Sequence, residues 1–577
     1  MQTVKGQLID KETKGPVADA TVIIKQYPAN ATTSDDKGFF QLENVPLGRI
    51  DLRITKVGFM PVDLSNVQIS AGKQTVLNVE MEISLTVLKE ITITSSRKPL
   101  KERPLNDMAL VSSRMFSVEE TQRYAGSVDD PSRAIAVYPG VQVGGAVDNQ
   151  IIIRGNSSRG LLWRVAGMET YNPNHFSEEG TSFGGISMIT SSVLANSDFS
   201  TGAFAAEYGN ALSGIFDIRL RKGNPDKREY NFQVGTLGVE AVAEGPFSSK
   251  SKASYLVKYR YPSLSLAQKA GLLEFAPAYQ DLIFNVSVPV KSGTFGFYGI
   301  GGDGTSNTPA EKDSTLWKKD KYNRFSDKSN SKLGITGLTY THTLKQGYIY
   351  SGFSYNVSKN VYHSDSLSND FIAHRRNEEQ FVNSAIRFSS FLNYRLGTKN
   401  TVRIGGDVSF LHFNNRVVDD NDSIPGQLDL LLDSKGNTSY FQAFGEWKYR
   451  PLAALTVVSG LHFLRYNLNG NYTIEPRVSA SFKVAGNQSI SAGYGLHSRL
   501  EAPSTYFTQV VSPSGGTSLA NKNLDLSKAH HFVLAYDWTI SSRLRFKAET
   551  YYQSLFDVPV GFNDGATYST INAAGFN

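Results

Sequence analysis

No cysteine occurs among the 577 residues, so a disulfide framework and a thiolate-bound metal are both excluded. That absence leaves the compartment open. Nowhere do about 18 apolar residues follow one another, which excludes a membrane-spanning helix. A spanning β-barrel stays possible, because there only alternate residues face lipid. Lys and Arg number 59 against 53 Asp and Glu, a formal net charge of +6, and the two signs are interspersed. Without a basic stripe interleaved with aromatics, nucleic acid is not an expected partner. No Gly-x-Ser-x-Gly elbow and no P-loop occurs, and the opening MQTVKGQLIDK lacks the charged-then-apolar pattern of a secretory signal. What is present is 28 Tyr, 33 Phe and 50 Gly beside only 4 Trp, a mixture that favours strands and tight turns. The length requires two or three domains.

Residues 1–83 alternate strand-like runs with turns (VKGQLID, ATVIIKQ, GFFQLENV, RIDLRITKVGF, QTVLNVEMEI), the spacing of a small antiparallel sandwich. The segment resembles the carboxypeptidase regulatory-like domain in Gly6-Gln7-Leu8-Ile9-Asp10, in Gly15-Pro16-Val17 with Ala20 and Val22, in Asp36-Lys37-Gly38-Phe39-Phe40, and in Gly58-Phe59. The resemblance implies an Ig-like or transthyretin-like accessory module without active-site residues. It reads as a structural module, with sugar binding or partner docking as the alternative.

Residues 84–105 form a linker. Leu88-Lys89-Glu90-Ile91-Thr92-Ile93-Thr94 is a short β-prone run, followed by a basic, proline-containing stretch unsuited to packing. It can be read as the last strand of the first domain or as a segment that adds itself to a partner's sheet edge, where main-chain hydrogen bonds supply the affinity.

From 106 to 223, glycine-punctuated turns separate short β-branched runs, as in a compact α+β domain with close backbone approaches. Pro139-Gly140-Val141, then Ile153-Arg154-Gly155, then Asn174-His175-Phe176, and finally Gly209-Asn210 through Gly214 and Asp217 to Ile218 stand in order. Together they resemble the plug domain of TonB-dependent outer-membrane receptors. One departure concerns the W-R-x-D-G turn of that family, where Ala166 precedes Gly167 in place of aspartate, which puts the turn's own side-chain hydrogen bond in doubt.

Beyond residue 224 the pattern becomes long alternating strands. Ile386 to Leu396 sets Arg387, Asn393 and Arg395 inward; Phe441 to Tyr449 sets Gln442, Glu446 and Lys448 inward. In Lys528 to Ile540, Phe532, Leu534, Tyr536 and Trp538 share the apolar face. Short links near 248–251, 291–293, 345–347, 398–400, 452–454, 485–487 and 541–543 alternate with long polar stretches at 304–330, 364–380, 415–437 and 500–527. Short turns on one rim and long loops on the other are the asymmetry of a transmembrane barrel. Two strands per short link give about fourteen. Plugged transporter barrels have about 22, and an open edge in lipid costs several kcal/mol per unsatisfied backbone group. The expectation is therefore a barrel truncated at about fourteen of about 22 strands, and a sequence that is a fragment.

The resemblance implies a TonB-dependent receptor of a Gram-negative outer membrane, its signal peptide absent here. It would take a scarce ligand (siderophore, cobalamin, oligosaccharide or peptide) into the periplasm. Its partners would be TonB with ExbB and ExbD and the outer-membrane lipid, TonB docking at Leu88 to Thr94. No catalytic residue, cofactor or metal is expected. A surface binding or signal-transducing receptor is the second reading. A metallopeptidase is the third, since His175-x-x-Glu178 has the spacing of a zinc pair; that pair lacks a third ligand and a supported base. His530 and His531 fall on opposite strand faces, and Gly301-Gly302-Asp303-Gly304 reads as a loop leaving a strand.

Overall fold

The computed structural model describes residues 1–560 apart from 73, 85–102, 125, 128, 145–147, 236, 272–275, 421–426, 509, 512–516, 520, 542 and 543. The run Leu88 to Thr94 therefore lies outside the described residues.

Two sheets face each other at the N-terminus. One holds Phe39–Val45, Gln2–Asp10 and Thr75–Met81; the other holds Tyr27–Thr33, Thr21–Ile24, Gly48–Thr55 and Val62–Ile69. Alternate residues of Gly48–Thr55 are buried, and Val4, Leu8, Val22, Leu42, Ile50, Leu52 and Ile54 from the two inner faces make one core. The sandwich is not wholly antiparallel, because Gln2–Asp10 pairs in parallel with Thr75–Met81. Gly38 is required where it stands: its φ is +77°, and a Cβ there would lie 2.3 Å from the Leu8 carbonyl oxygen.

The middle domain is a five-stranded mixed sheet in the order Met168–Thr170, Leu161–Val165, Gly214–Ile218, Ser197–Ser200, Ser113–Phe116. Leu161–Val165 and Gly214–Ile218 run parallel. Every residue of those two strands is buried, as expected of a sheet covered on both faces. Trp163 stacks on Phe216 with centroids 5.0 Å apart, and Phe116 and Phe199 meet Phe216 edge-on.

The remainder is one antiparallel sheet of fifteen strands, each hydrogen-bonded to the next, from Glu229–Gly235 to Arg545–Phe556. That is one strand more than the fourteen the short links give. The addition is Glu229–Gly235, whose turn to Gly238–Pro246 is tight and lies on the long-loop rim, so counting pairs across short links passes over it. Among the described residues the first and last strands each have one partner. Outward residues are apolar: Phe388 and Phe353 are 49% and 37% exposed and pack ring against ring at 5.0 Å. Inward neighbours are polar and buried, including Arg387, Asn393, Gln442, Glu446 and Lys448.

Two expectations for this wall need correction. The described residues of 364–380 and 415–437 are mostly strand: Gly347–Leu367 and Ala373–Leu396 meet in a five-residue turn, and Leu428–Leu452 runs for 25 residues, whereas 304–330 keeps a connection between Thr308 and Phe325 with strand only at its two ends. A bilayer needs only about 9–11 residues per strand. The remainder rises above it, where both faces meet water, the alternation fades and the sequence imitates a loop. Likewise Gly301-Gly302-Asp303-Gly304 lies inside Gly293–Thr308.

Candidate functional site: a plug seated in the wall

The middle domain sits against the inner face of the wall, and the two share one hydrophobic core. Ile151, Trp163, Ile189 and Phe216 cluster with Leu256, Ile283, Ile300 and Leu333 of the wall. The inward face of the early strands thus carries apolar side chains among its charged ones, because a domain and not water lies against it.

The motif residues turn out to be seating elements. Gly140 has φ +77° and its carbonyl accepts from Arg154 N at 2.7 Å, extending by one rung, at the end away from the turn, the ladder between Val141–Val143 and Ile151–Ile153. Arg154 and Gly155 both have positive φ, a tight turn that carries the Arg154 guanidinium over the Tyr551 ring at 4.2 Å and onto Glu549 of the wall. The same guanidinium donates to Ser112 Oγ at 2.9 Å. Asn174–His175 pairs with Ile186–Ser187, and the His175 ring meets Asp281 of the wall at 3.1 Å. A Cβ at Gly302 would lie 2.9 Å from His175, and one at Gly304 3.0 Å from Phe176, so these wall glycines make the recess that takes both rings. A Cβ at Gly209 would lie 2.0 Å from Gln442 Oε1, and one at Gly214 would lie 2.2 Å from Ile153. Asn210, at φ +54°, accepts from Leu500 N at 2.9 Å. Asp217 accepts from the Tyr208 hydroxyl at 3.0 Å. Gly167, at φ +86°, completes the turn of the Leu161–Val165 hairpin.

Charged wall side chains grip the plug at several points that the motifs did not mark. Lys258 and Arg260 both pair with Asp281, at 2.8 and 2.7 Å, and donate to the carbonyls of Met188 and Ser187 at 2.7 and 2.6 Å. Arg403 donates to Glu207 and Asp107 at 2.9 Å each. Arg477 donates to the carbonyls of Ala205 and Tyr208 at 2.6 Å each. Tyr440 donates to Glu169 at 2.7 Å, with Arg387 3.6 Å from the same oxygen. Apart from Tyr440, each contributor is visible as a charged residue in the middle of an alternating run, such as SYLVKYRY; its target on the plug is not.

The segment by which the chain enters the plug is held by two carboxylates. Asp198 accepts from Leu105 N at 2.8 Å and Asn106 N at 2.7 Å, and burial pushes its carboxyl up to about 6. Asp107 has burial working to raise it, yet Lys448 and Arg403 hold it well below the usual carboxylate range.

His175 and Glu178 do not form a metal pair: the imidazole, fully buried, is taken up by Asp281, and burial lowers its basicity. Among the described residues no group of three or more His, Asp or Glu is arranged to hold a metal. His531 faces inward, its ring 4.6 Å from that of His497, whereas His530 stacks on Phe556.

On the long-loop rim a small cleft lies between plug and wall, lined by Asn156, Ser157, Arg159, Ser213, Arg499 and Glu501. Beside it the helix Pro503–Phe507 packs into the wall, Tyr506 against Tyr466 at 5.2 Å and Phe507 against Phe413 at 4.9 Å. Arg499 donates to the Gly180 carbonyl of the plug at 3.1 Å.

Residues 3–82 match the carboxypeptidase regulatory-like domain. No curated protein matches the chain in sequence. In fold, the siderophore receptor PirA from Pseudomonas aeruginosa is similar over 78% of this chain and 75% of its own, at 15% identity and a TM-score of 0.54. The outer-membrane transporter YddB from Escherichia coli is similar over 77% and 69%, at 12% identity and a TM-score of 0.54. The copper transporter OprC is similar over 78% and 72%, at 11% identity and a TM-score of 0.55. At these identities the likeness establishes the architecture: a plug domain inside a β-barrel wall, preceded by a small sandwich.

Proposed function

We propose that this chain, which has the plugged-barrel fold of TonB-dependent outer-membrane receptors behind a carboxypeptidase regulatory-like domain, belongs to a receptor that carries a scarce small ligand across the outer membrane of a Gram-negative bacterium, energised through TonB. The observation that carries the reading is the way the plug is held. Its core is shared with the wall, but its anchors are hydrogen bonds and ion pairs aimed at individual carbonyls and carboxylates, such as Arg477 on Ala205 and Tyr208. A fully hydrogen-bonded wall cannot open in lipid without exposing backbone groups. The element that moves must then be the plug, and polar anchors can be exchanged for water as it shifts.

In this reading Leu88 to Thr94 offers TonB a strand, with ExbB and ExbD behind it, and the pull arrives first at Leu105, Asn106 and Asp107. The ligand enters over Asn156 to Arg159 and the loops around Arg499 to Phe507. The ligand classes in view are siderophores, cobalamin, oligosaccharides and peptides.

The test uses the full-length receptor purified from outer membranes, its retained small molecules identified by mass spectrometry. Deletion of residues 88–94 is expected to abolish energised uptake of the identified molecule and leave its binding unchanged. Unaltered uptake would overturn the proposal.

A further inference from the structure

We infer that the N-terminal domain is a cap over the periplasmic mouth, closed in the structure seen here and latched by Glu12, and that it has to lift before cargo can leave. The lifting rests on the transport reading above; the cap itself rests on contacts alone.

Those contacts extend along the wall from its first strand to its tenth. Gln74 N donates to Glu229 at 3.2 Å, and Lys5 pairs with Asp226 at 2.6 Å beside the first strand. Lys14 lies 5.5 Å above the Tyr348 ring, in the seventh. Asp10 pairs with Arg395 of the eighth strand at 2.9 Å. The plug is touched from the same side: Lys11 donates to the Pro104 carbonyl at 3.1 Å, and Arg49 pairs with Glu119. All the wall contacts lie near the short turns, the periplasmic rim in the proposed orientation.

At the centre is one carboxylate. Asp10 Oδ1 accepts from the N–H groups of Glu12 and Thr13, at 2.8 and 3.3 Å. The resulting tight turn projects Glu12 into the wall, where it is 1% exposed. There it meets Lys448 at 2.8 Å, Arg450 at 3.2 Å, Arg395 at 3.7 Å and the Thr401 hydroxyl at 3.2 Å. Glu82 adds a second contact to Arg450 at 2.8 Å. Three inward cations clustered at a rim repel one another unless acids face them; Asp10, Glu12 and Glu82 of the cap supply most of those acids and Asp107 of the plug the other.

Lys448 pairs with Glu12 and also with Asp107 at the start of the plug. Lifting the cap therefore strips one partner from the side chain that holds the plug's leading segment. Residues 85–102 join cap and plug, so a pull on 88–94 loads both ends of this shared anchor. The domain is thereby placed as a gate in series with the plug.

The absence of native cysteine in this chain makes the test direct. A Cβ at Gly15 would lie 3.9 Å from Thr343 Cγ2, so a cysteine at each position brings the two sulfurs close to one another while the cap is seated. In the full-length receptor carrying Gly15→Cys and Thr343→Cys, mild oxidation of outer membranes from uncoupler-treated cells is expected to give near-complete disulfide. Glu12→Gln is expected to slow its formation at least threefold. Absence of the disulfide in protein whose wall remains folded, judged by heat-modifiable gel mobility, overturns the cap. In energised cells the disulfide is expected to form at least fivefold more slowly than with uncoupler. Equal rates while TonB crosslinks at residue 91 overturn the lifting. Absence of that TonB crosslink instead overturns the transport reading, and the disulfide in uncoupler-treated membranes still decides the cap.

Discussion

Tyr350 of the wall donates its hydroxyl to the carbonyl oxygen of Ala166 in the plug, 2.6 Å away, at the turn where the resembled receptors carry aspartate. Ala166 sits at φ +52°, a region costly to a residue with a Cβ. The turn is thus held from outside, by a wall side chain and by Ala166 N donating to Ile218 O at 2.9 Å, in place of its own carboxylate. Tyr350→Phe is expected to cost the plug about 1 kcal/mol, the worth of one hydrogen bond whose acceptor stays partly buried. Thermal unfolding of the plug, followed by Trp163 fluorescence, would register it; an unchanged midpoint would mean that the turn supports itself.

Asp281 balances Lys258 and Arg260 and meets His175. Asp281→Asn leaves the buried Arg260 without its carboxylate and Lys258 with only Glu240, 3.6 Å away, a change worth roughly 3–5 kcal/mol. Loss of the folded, heat-modifiable form at a lower temperature than the parent is the expected outcome, and Lys258→Met in the same protein should restore part of it.

Lipid exposure can be tested at neighbouring positions. Phe388 faces outward and Arg387 inward. Phe388→Arg is expected to cost about 2–4 kcal/mol if the site lies near the bilayer midplane, measured by denaturant unfolding in bilayers. Equal tolerance of Arg at both positions would contradict the assigned faces.

The cap's attachment should depend on pH in a defined direction. For Glu82, burial acts to raise the carboxyl, but Lys448 and Arg103 overcome it and hold it below its ordinary 4.5; Glu80 is likewise lowered, against burial, by Lys14 of its own domain and by Arg219 of the plug, and only the Arg219 contact belongs to the attachment. A carboxylate with a lowered folded value contributes stability that is present above the unfolded value and lost as pH falls through the folded one. Release of the N-terminal domain to protease should accordingly stay flat from pH 7 to about 5 and rise only below about 4. Release that begins near pH 6 would point to groups other than these acids.

The wall was readable from alternation wherever one face met lipid and the other met polar plug or solvent, as in Phe441 to Tyr449. It blurred where Leu256, Ile283 and Leu333 turn apolar side chains toward the plug, because both faces of a strand are then greasy. It failed above the bilayer, where Gly347–Leu367 continues as strand with water on both sides. The first strand, Glu229–Gly235, escaped because its short connection lies on the rim where length was the cue. The plug's glycines were legible as close approaches, but not what they approach, since Gly209 meets Gln442 only in three dimensions. The cap could not have been read at all: Lys448 was legible as an inward cation, but Glu12, which meets it, is 436 residues away and stands in no recognisable string.

The most direct measurement is photocrosslinking from residue 91, carrying a photoreactive amino acid in the full-length receptor, to TonB in energised cells. The account predicts a TonB adduct whose yield rises when the receptor is loaded and which vanishes on deletion of the flanking strand residues. Correctly folded receptor at normal abundance that yields no adduct from any position between 88 and 94 would contradict it.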